Sequence, residues 1–306
     1  MADASIPAPG PHGGDGIALA RALGIAVDAV LDLSVSLNPL APDPAPLVAA
    51  AAGAVRHYPD ARLATSALAA AIGVDRSRVI LTNGGAEAIA LVAAHCPTGR
   101  VDDPEFSLYA RHLREVTPAG PRWRSNPHNP TGRLADRDES ASIWDEAFYP
   151  LATGTWTRGD GGATVVGSLT KLFACPGLRL GYVIAPDAAT ATAMRARQPE
   201  WSVGSVACAA VPALLATADL PAWSDGIAKL RHELVEILAA AGLVAEDGDA
   251  SFVLVRHAPG VRERLARRAV LVRDTESFGI PGGVRIAVPD TAGLERLADA
   301  LSERAC

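Results

Sequence analysis

Residues 163–182 read ATVVGSLTKLFACPGLRLGY, and this stretch decides how the rest of the chain is interpreted. It begins with the short, partly β-branched run Ala163–Val166, which is typical of a buried strand. A glycine-containing turn follows, then Lys171, and then Arg179 eight residues later. The sequence therefore predicts a strand that ends in a polar loop carrying one lysine and one arginine.

Lysine is rare in this chain. Lys171 and Lys229 are the only lysines among 28 Lys and Arg residues, so almost every cation is an arginine. Arginine stays protonated, whereas a desolvated lysine can lose its proton and act as a nucleophilic amine. A Schiff base with pyridoxal phosphate (PLP) requires such an amine. We therefore predict that Lys171 is a catalytic residue.

The composition indicates a globular, acidic protein. The chain has 306 residues, of which 49% are hydrophobic, with a net charge of -6 and a pI near 5.7. This length accommodates one large and one smaller domain, and the negative charge argues against nucleic acid as a partner. The four cysteines have neither a CxxC pair nor metal-site spacing, so we expect reduced thiols and no metal.

No stretch predicts export or membrane insertion. The Pro-, Gly- and Ala-rich residues 1–14 lack a basic apolar signal. No apolar run free of charge and proline approaches the roughly 18 residues of a membrane span. We therefore expect a cytoplasmic protein without a membrane partner.

Strand and helix patterns alternate through the middle of the chain. A β-branched run at Arg78–Leu81, a glycine turn and an apolar helix at Ala86–Ala94 form the clearest unit. Such alternation predicts an α/β fold with a largely parallel central sheet. We expect an N-terminal arm and part of a small domain in residues 1–40, a large domain in 41–220, and a C-terminal small α+β domain in 221–306.

The two ends of the chain show simpler patterns. Residues 1–16 are predicted to be a loose arm, and residues 188–241 a helical stretch. Three strands and a terminal helix are predicted near the C-terminus: Ser251–Val255, Ala269–Val272, Val284–Val288 and Leu294–Arg304.

Three further motifs place small or polar groups at strand ends. Gly84-Gly85-Ala86-Glu87 opens the apolar helix, whose N-terminus favours a closely approaching anion. Asn126-Pro127-His128-Asn129-Pro130-Thr131-Gly132 is a rigid turn that directs an amide into the crevice above a sheet. The carboxylate of Asp145, in Asp145-Glu146-Ala147-Phe148, follows a strand and can pair with a protonated ring nitrogen. Taken singly, each motif also fits an ordinary turn or helix cap.

The order of these motifs resembles the fold-type-I PLP enzymes of the class I/II aminotransferase family. The glycine turn, NPHNPTG, DEAF, SLTK and Arg179 follow one another, and matching motifs span nearly the whole chain. Within the family, the chain resembles the branch of threonine-phosphate decarboxylases, of the cobalamin pathway, and histidinol-phosphate aminotransferases. His12-Gly13-Gly14, residues 31–34 with Asn38-Pro39, and Phe148 resemble the decarboxylases, since the aminotransferases more often carry Tyr at the position of Phe148.

The resemblance implies a role for each residue around the cofactor ring. Lys171 binds PLP covalently and moves the proton, and Asp145 pairs with the pyridinium nitrogen. Asn129 hydrogen-bonds the ring hydroxyl, and Phe106, in Pro104-Glu105-Phe106-Ser107-Leu108-Tyr109, stacks on the ring.

The resemblance also assigns the anion-binding groups. The cofactor phosphate is held by the amides of Gly85 and Ala86 with Ser168 and Arg179. Tyr58 reaches that phosphate from a second subunit, which implies a homodimer with shared active sites. The substrate residues implied are Arg285 for the α-carboxylate, Arg273 for a distal phosphate, and Asn38.

The implied activity is that of a PLP-dependent lyase or transferase acting at Cα of an α-amino acid that carries a distal phosphate or other anion. Decarboxylation and transamination both remain open, because the choice depends on which Cα bond stands perpendicular to the ring. The segments 109–126 and 132–145 are short for the family, Gly167 stands where an arginine is common, and Pro289 stands where the decarboxylases often have another arginine. A catalytically degenerate PLP-binding protein is therefore a further alternative.

Two other classes fit less well. The Ser168–Lys171 spacing matches the S-x-x-K of penicillin-recognising acyl-enzymes, which also require a K-T-G motif. The other lysine lies in Ile227-Ala228-Lys229-Leu230, so K-T-G is absent. A PLP-binding transcription regulator would carry a basic helix-turn-helix segment, and the sequence shows none.

Overall fold

A computed structural model describes residues 5–159 and 161–302 of the chain. The helices are α1 (Gly16–Leu23), α2 (Ala45–Ala51), α3 (Arg62–Ile72), α4 (Gly84–His95), α5 (Leu108–His112), α6 (Tyr149–Thr153), α7 (Leu169–Leu172), α8 (Ala188–Arg195), α9 (Ser205–Leu215), α10 (Leu220–Ala240), α11 (Val261–Ala266) and α12 (Thr291–Ser302). The strands are β1 (Leu31–Leu33), β2 (Val79–Asn83), β3 (Thr98–Val101), β4 (Glu115–Val116), β5 (Arg122–Ser125), β6 (Ile143–Asp145), β7 (Thr164–Gly167), β8 (Leu180–Ile184), β9 (Phe252–Val255), β10 (Val270–Asp274) and β11 (Val284–Ala287).

The larger sheet has the strand order β2-β8-β7-β6-β5-β3-β4. Pairing is parallel from β7 through β6, β5 and β3 to β4, whereas β8 runs antiparallel to both of its neighbours. The prediction of an α/β fold with a mostly parallel sheet is therefore confirmed. The carboxyl ends of β5, β6 and β7 lie side by side, which brings the segments that follow them to one edge of the sheet.

Helices cover both faces of this sheet. On β2, Val79 and Leu81 pack into one apolar cluster with α3 and α9, while Ile80 packs into the opposite cluster with α4 and α8. This alternation follows from the two-residue repeat of a strand. Strands β7 and β8 are buried along their whole length, as expected for strands covered on both faces.

A second sheet forms from the two ends of the chain, in the order β1-β10-β11-β9. β1 pairs in parallel with β10, and the other pairings are antiparallel. The long helix α10 joins the two parts. Its first half contributes Leu220, Trp223 and Ile227 to the core of the larger sheet, and its second half contributes Leu230, Leu234 and Leu238 to the core of the smaller sheet.

The structure departs from the sequence-based picture in several elements. Residues 188–241 contain three helices, and Asp187 and Asp219 cap two of them by accepting backbone N–H hydrogen bonds. The N-terminal arm is packed rather than loose, since Arg262 donates to the carbonyl of Pro7 at 3.0 Å. The predicted terminal helix begins earlier, at Thr291, and its residues beyond 302 lie outside the described part. The domain boundaries at residues 40 and 220 stay a prediction.

The length and apolar content of a helix determine whether it could cross a membrane. Among the described residues, no single helix is both long and apolar enough. The pair α9 and α10 meets the length and composition criteria only together, across a bend of 87°.

We expect Leu234→Ala to destabilise the protein. Leu234 is fully buried, and removing such a side chain typically costs about 2–5 kcal/mol, from lost burial and the cavity left behind. Chemical denaturation monitored by circular dichroism measures the loss. Val244→Ala is the matched control, because Val244 is 83% exposed. Equal unfolding midpoints for the two variants would contradict the assignment of Leu234 to the core.

Candidate active site

A cavity of about 290 Å³ opens where the carboxyl ends of β5, β6 and β7 face the smaller sheet. Its lining includes ten of the twelve residues that the sequence nominated for the site. These are Gly85, Ala86, Phe106, Asn129, Asp145, Ser168, Lys171, Arg179, Arg273 and Arg285. The residues come from segments far apart in the chain, so the fold is what assembles the site.

Lys171 lies in the short helix α7, immediately after β7. The hydroxyl of Ser168 caps this helix by accepting a hydrogen bond from the Lys171 backbone N–H at 3.4 Å. Burial and, to a smaller extent, the nearby cations Arg285, Arg273 and Arg179 lower the pKa of the Lys171 amine to about 8, against a smaller opposing effect of Asp32. An amine with this pKa is unprotonated about a tenth of the time at neutral pH, which suits a nucleophile.

Asp145 ends β6 at the wall of the cavity and is only 8% exposed. The hydroxyl of Tyr109 donates to its Oδ2 at 2.7 Å, and the backbone N–H of Ala147 donates to its Oδ1 at 3.0 Å. Burial raises the pKa of Asp145, and these two hydrogen bonds oppose the rise. Within the described residues Asp145 has no ion pair, so its carboxylate is available to a cationic group in the cavity.

Asn129 and Arg285 both line the cavity and are in direct contact. Nη1 of Arg285, on β11, donates to Oδ1 of Asn129 at 2.6 Å. The guanidinium also lies 4.5 Å from the ring centre of Phe252 and 5.9 Å from that of Phe278. The side chain is thus held by two aromatic rings and one amide oxygen, without an acidic partner among the described residues.

Arg273 is the cross-strand neighbour of Arg285. The two residues are directly paired between β10 and β11, and each is 4% exposed. Burial lowers the pKa of Arg285 well below its usual range, and it lowers that of Arg273 to about 10. Like charges at paired positions destabilise a sheet, and a buried anion would offset that cost.

Backbone carbonyls of the N-terminal arm accept hydrogen bonds from the Arg273 guanidinium. Nη1 donates to the carbonyl of His12 at 2.7 Å, and Nη2 donates to the carbonyl of Pro11 at 3.0 Å. The Nε atom is buried and has no hydrogen-bond partner in the described part of the chain. With a further hydrogen bond from Nη2 to the Ser277 hydroxyl at 3.3 Å, three of the five N–H groups of Arg273 are used, so the side chain keeps donor capacity for a ligand while it holds the arm.

An anion cradle forms where α4 begins. Gly84 has a φ of 77°, and a Cβ atom there would collide with the guanidinium of Arg179. The backbone of Gly181 lies against that of Gly84, since a Cβ atom at Gly181 would lie 2.5 Å from the carbonyl carbon of Gly84. The glycines thus let Arg179 lie against the first turn of α4, where free backbone N–H groups attract an anion.

The chemistry of these groups fits PLP. The cavity brings together an amine with a lowered pKa, a buried carboxylate without a cation, the aromatic ring of Phe106 and an anion cradle. These match the aldehyde, ring nitrogen, ring face and phosphate of the cofactor, in that order.

Two nominated residues lie outside this cavity. Asn38 is buried, but its Nδ2 donates to the carbonyl of Leu172 and its Oδ1 accepts from the N–H of Leu40, both at 3.0 Å. It therefore fixes the backbone around α7 instead of facing a substrate. Tyr58 is 79% exposed, with its ring centre 4.7 Å from that of Trp201.

The cavity also contains residues that no sequence pattern assigned to it. His12, Ser34 and Phe148 contribute to the lining, although each lies in a motif noted above. Tyr109, the partner of Asp145, received no role. The available signal was its place in the same short motif as Phe106, against whose ring it packs with the ring centres 5.8 Å apart.

Gly167, where an arginine is common in the family, is covered by an aromatic ring. Tyr182 is its cross-strand partner on β8, and a Cβ atom at Gly167 would collide with that ring. The packing of Tyr182 therefore requires glycine at residue 167.

Comparison with known proteins agrees with this geometry. Residues 123–301 match the sequence profile of a family described as "Aminotransferase class I and II". The chain is 31% identical to a threonine-phosphate decarboxylase of a Sinorhizobium species, over 96% of this chain and 98% of that protein. It is 26% identical to histidinol-phosphate aminotransferase 1 of Dechloromonas aromatica (strain RCB), over 93% of this chain and 92% of that protein.

The fold is similar to that of solved structures. The crystal structure of histidinol-phosphate aminotransferase from Sinorhizobium meliloti, in complex with pyridoxal-5'-phosphate, gives a TM-score of 0.78 at 18% identity, over 94% of this chain and 93% of that chain. The profile match covers more than half of the sequence, and the relatives align over nearly all of it. The chain therefore belongs to the aminotransferase class I and II family of PLP-dependent enzymes.

Proposed function

We propose that this enzyme decarboxylates an α-amino acid that carries a distal phosphate or other anion, as the name of threonine-phosphate decarboxylase describes for a relative. The observation that carries the proposal is the buried pair Arg273 and Arg285, side by side on β10 and β11 in the cavity that holds Lys171. Two cations without acidic partners among the described residues suit a substrate with two anionic groups.

The site residues act around the cofactor. Bound PLP supplies an electron sink for the negative charge that develops at Cα. The Lys171 amine would hold the cofactor and would move a proton at Cα. Asp145 stabilises the positive charge on the ring nitrogen, and Asn129, whose Oδ1 accepts from Arg285, uses its Nδ2 group to donate to the ring hydroxyl. Gly85, Ala86, Ser168 and Arg179 hold the cofactor phosphate.

The two arginines orient the substrate. Arg285 binds the α-carboxylate, because its guanidinium lies beside Asn129 at the centre of the site. Arg273 lies on the neighbouring strand β10, where it contacts the N-terminal arm, and it binds the distal anion. Fixing both ends of the substrate would set which Cα bond stands perpendicular to the ring and hence which bond breaks.

Transamination is the second candidate. A relative named histidinol-phosphate aminotransferase aligns over 93% of the chain, close to the 96% of a decarboxylase. The same residues serve both reactions, since both reactions need the lysine amine, the carboxylate beside the ring nitrogen and an arginine that binds an anion of the substrate. Incubation with O-phosphothreonine and with histidinol phosphate, while CO2 release and carbonyl-product formation are measured, separates the two.

We also propose that the enzyme is a homodimer in which Tyr58 reaches the cofactor phosphate of the neighbouring subunit. Tyr58 and Trp201 form an exposed aromatic pair, and Val55 and Leu63 are also strongly exposed at 72% and 71%. Exposed apolar side chains of this size favour an interface with another chain. Light scattering at assay concentration should give the mass of a dimer, and a fully active monomer would contradict the proposal.

Lys171→Ala should abolish turnover and the visible absorbance of bound cofactor. Borohydride reduction of the wild type should attach a pyridoxyl group to the peptide that contains residue 171, as detected by mass spectrometry. Lys229→Ala is the matched control, because it removes the other lysine, which is not among the cavity-lining residues. Labelling of residue 229 in the wild type would refute the assignment of Lys171.

Asp145→Asn should slow turnover by roughly 10²–10³-fold, because an amide cannot stabilise the charge on the ring nitrogen as a carboxylate does. Folding should change less than turnover, since the amide oxygen of Asn can still accept from the Ala147 N–H and its NH2 group can donate to the Tyr109 hydroxyl oxygen. Steady-state kinetics and thermal denaturation together measure the two effects. Near-normal turnover would rule out Asp145 as the ring-nitrogen partner.

Arg273→Ala should change specificity rather than abolish activity. Losing one partner of a buried charged contact costs roughly 2–5 kcal/mol, so kcat/KM for O-phosphothreonine should fall by about 30-fold or more. The kcat/KM for threonine, which lacks the phosphate, should fall much less. Arg285→Ala is the comparison variant and should weaken both substrates alike. An unchanged preference for the phosphorylated substrate in Arg273→Ala would contradict the two-anion site.

A further inference from the structure

Glu105 is a buried carboxylate immediately beside the cavity wall, and no role described so far uses it. It lies between Pro104 and Phe106 and is only 4% exposed. Its Oε1 accepts from the backbone N–H of Ser125 at 2.9 Å, and its Oε2 accepts from the Ser125 hydroxyl at 2.6 Å. The backbone N–H of Phe106 also approaches Oε2, at 3.3 Å. Three donors from two chain segments therefore converge on one carboxylate.

The hydroxyl of Ser125 continues this chain of hydrogen bonds toward the cavity. Its Oγ accepts a hydrogen bond from the backbone N–H of Asn129 at 2.8 Å. A hydroxyl carries a single proton, so when that proton points to Glu105, a lone pair is left facing Asn129. Glu105 thus determines the direction of the hydroxyl that holds the Asn129 turn in place.

We propose that Glu105 is a positioning residue which, through Ser125, ties the segment carrying Phe106 to the turn carrying Asn129 and so sets the gap that receives the cofactor ring. The inference rests on the proposed function, in which Phe106 and Asn129 contact that ring. Both residues line the cavity from separate segments. The hydrogen bonds that Ser125 donates to Glu105 and that the Asn129 N–H donates to Ser125 join those segments, and neither Glu105 nor Ser125 is among the cavity-lining residues.

The surroundings of Glu105 argue against a purely stabilising role. Burial raises its pKa to about 7, although the hydrogen bonds from Ser125 and the charge of Arg124, whose Nη1 lies 3.7 Å away, oppose the rise. His128 lies 3.9 Å away, but burial lowers its pKa to about 4, so it stays neutral.

The sign of this pKa change shows what ionisation does to stability. Between the ordinary pKa of glutamate and about 7, the folded protein binds more protons than the unfolded chain. The stabilising contribution is therefore present at low pH and is lost as the pH rises through this window. The ionised form of Glu105 disfavours folding at neutral pH, so a gain in stability does not explain a carboxylate at this position. Its contacts with the segments that it holds in place explain it better.

The test compares Glu105→Gln, Ser125→Ala and the double variant with the wild type at pH 8, where Glu105 is ionised. The dissociation constant of PLP for the cofactor-free full-length chain is measured by fluorescence quenching, and the melting temperature of the same cofactor-free chain is measured separately. Visible circular dichroism of the bound cofactor reports how firmly the ring is held.

Each single variant should weaken PLP binding on the order of tenfold and reduce the visible circular dichroism, because a charge-assisted hydrogen bond is lost or weakened. The double variant should bind PLP no more weakly than the weaker-binding of the two single variants, since both changes break the same connection. The melting temperature of cofactor-free Glu105→Gln should match or exceed that of the wild type, which a merely structural role would not allow.

Glu139→Gln is the matched control. Glu139 accepts from Arg124 Nε at 2.9 Å and from Arg122 Nη2 at 2.7 Å, and it is not among the cavity-lining residues. It should leave PLP affinity within about twofold of the wild type, as for a surface-side ion pair. Equal losses in Glu139→Gln and Glu105→Gln would overturn the proposal, because the charge network in general would then be responsible.

The remaining outcomes are also decisive. Unchanged PLP affinity in Glu105→Gln, or additive losses in the double variant, would overturn the positioning role while leaving the proposed function intact. A wild type that binds no PLP through Lys171 would overturn both.

Discussion

The buried hydrogen bond between Arg285 and Asn129 joins the two sheets at the point where the site forms. One partner lies on β11 of the smaller sheet, and the other lies in the turn after β5 of the larger sheet, 156 residues away in sequence. The arginine has no acidic partner within the described part of the chain and is flanked by Phe252 and Phe278. The cavity therefore depends on the assembly of the two sheets, and burial in it, together with its arginines, lowers the pKa of Lys171.

Sequence reasoning was strongest where local patterns carry the information. Short strand patterns followed by polar turns indicated the strand ends near Lys171, Asn129 and Asp145, and parallel pairing of β5, β6 and β7 brings these ends together. The resemblance to a known family was needed to assign roles, because each motif also fits an ordinary turn. Arg273 and Arg285, which the resemblance nominated for the substrate, are paired on neighbouring strands.

What sequence reasoning missed depends on contacts between distant segments. The residues next to Asn38 in sequence do not indicate that its amide donates to the backbone of α7. Those next to Tyr109 do not indicate that its hydroxyl donates to Asp145. The packed arm is similar, because its carbonyls are held by Arg262 and Arg273, more than 250 residues later. Helices as short as α6 and α7 also show too few turns for an apolar repeat.

The helix α10 links the stability of the two halves of the molecule. At 21 residues it is about 31 Å long, and its two halves belong to different apolar cores. Loss of the smaller core would expose the second half of this helix and weaken the anchorage of the first. Unfolding should therefore approach a single cooperative transition instead of two separate ones. Opening of the cleft by a rigid-body hinge would then be limited to small movements that leave α10 continuous.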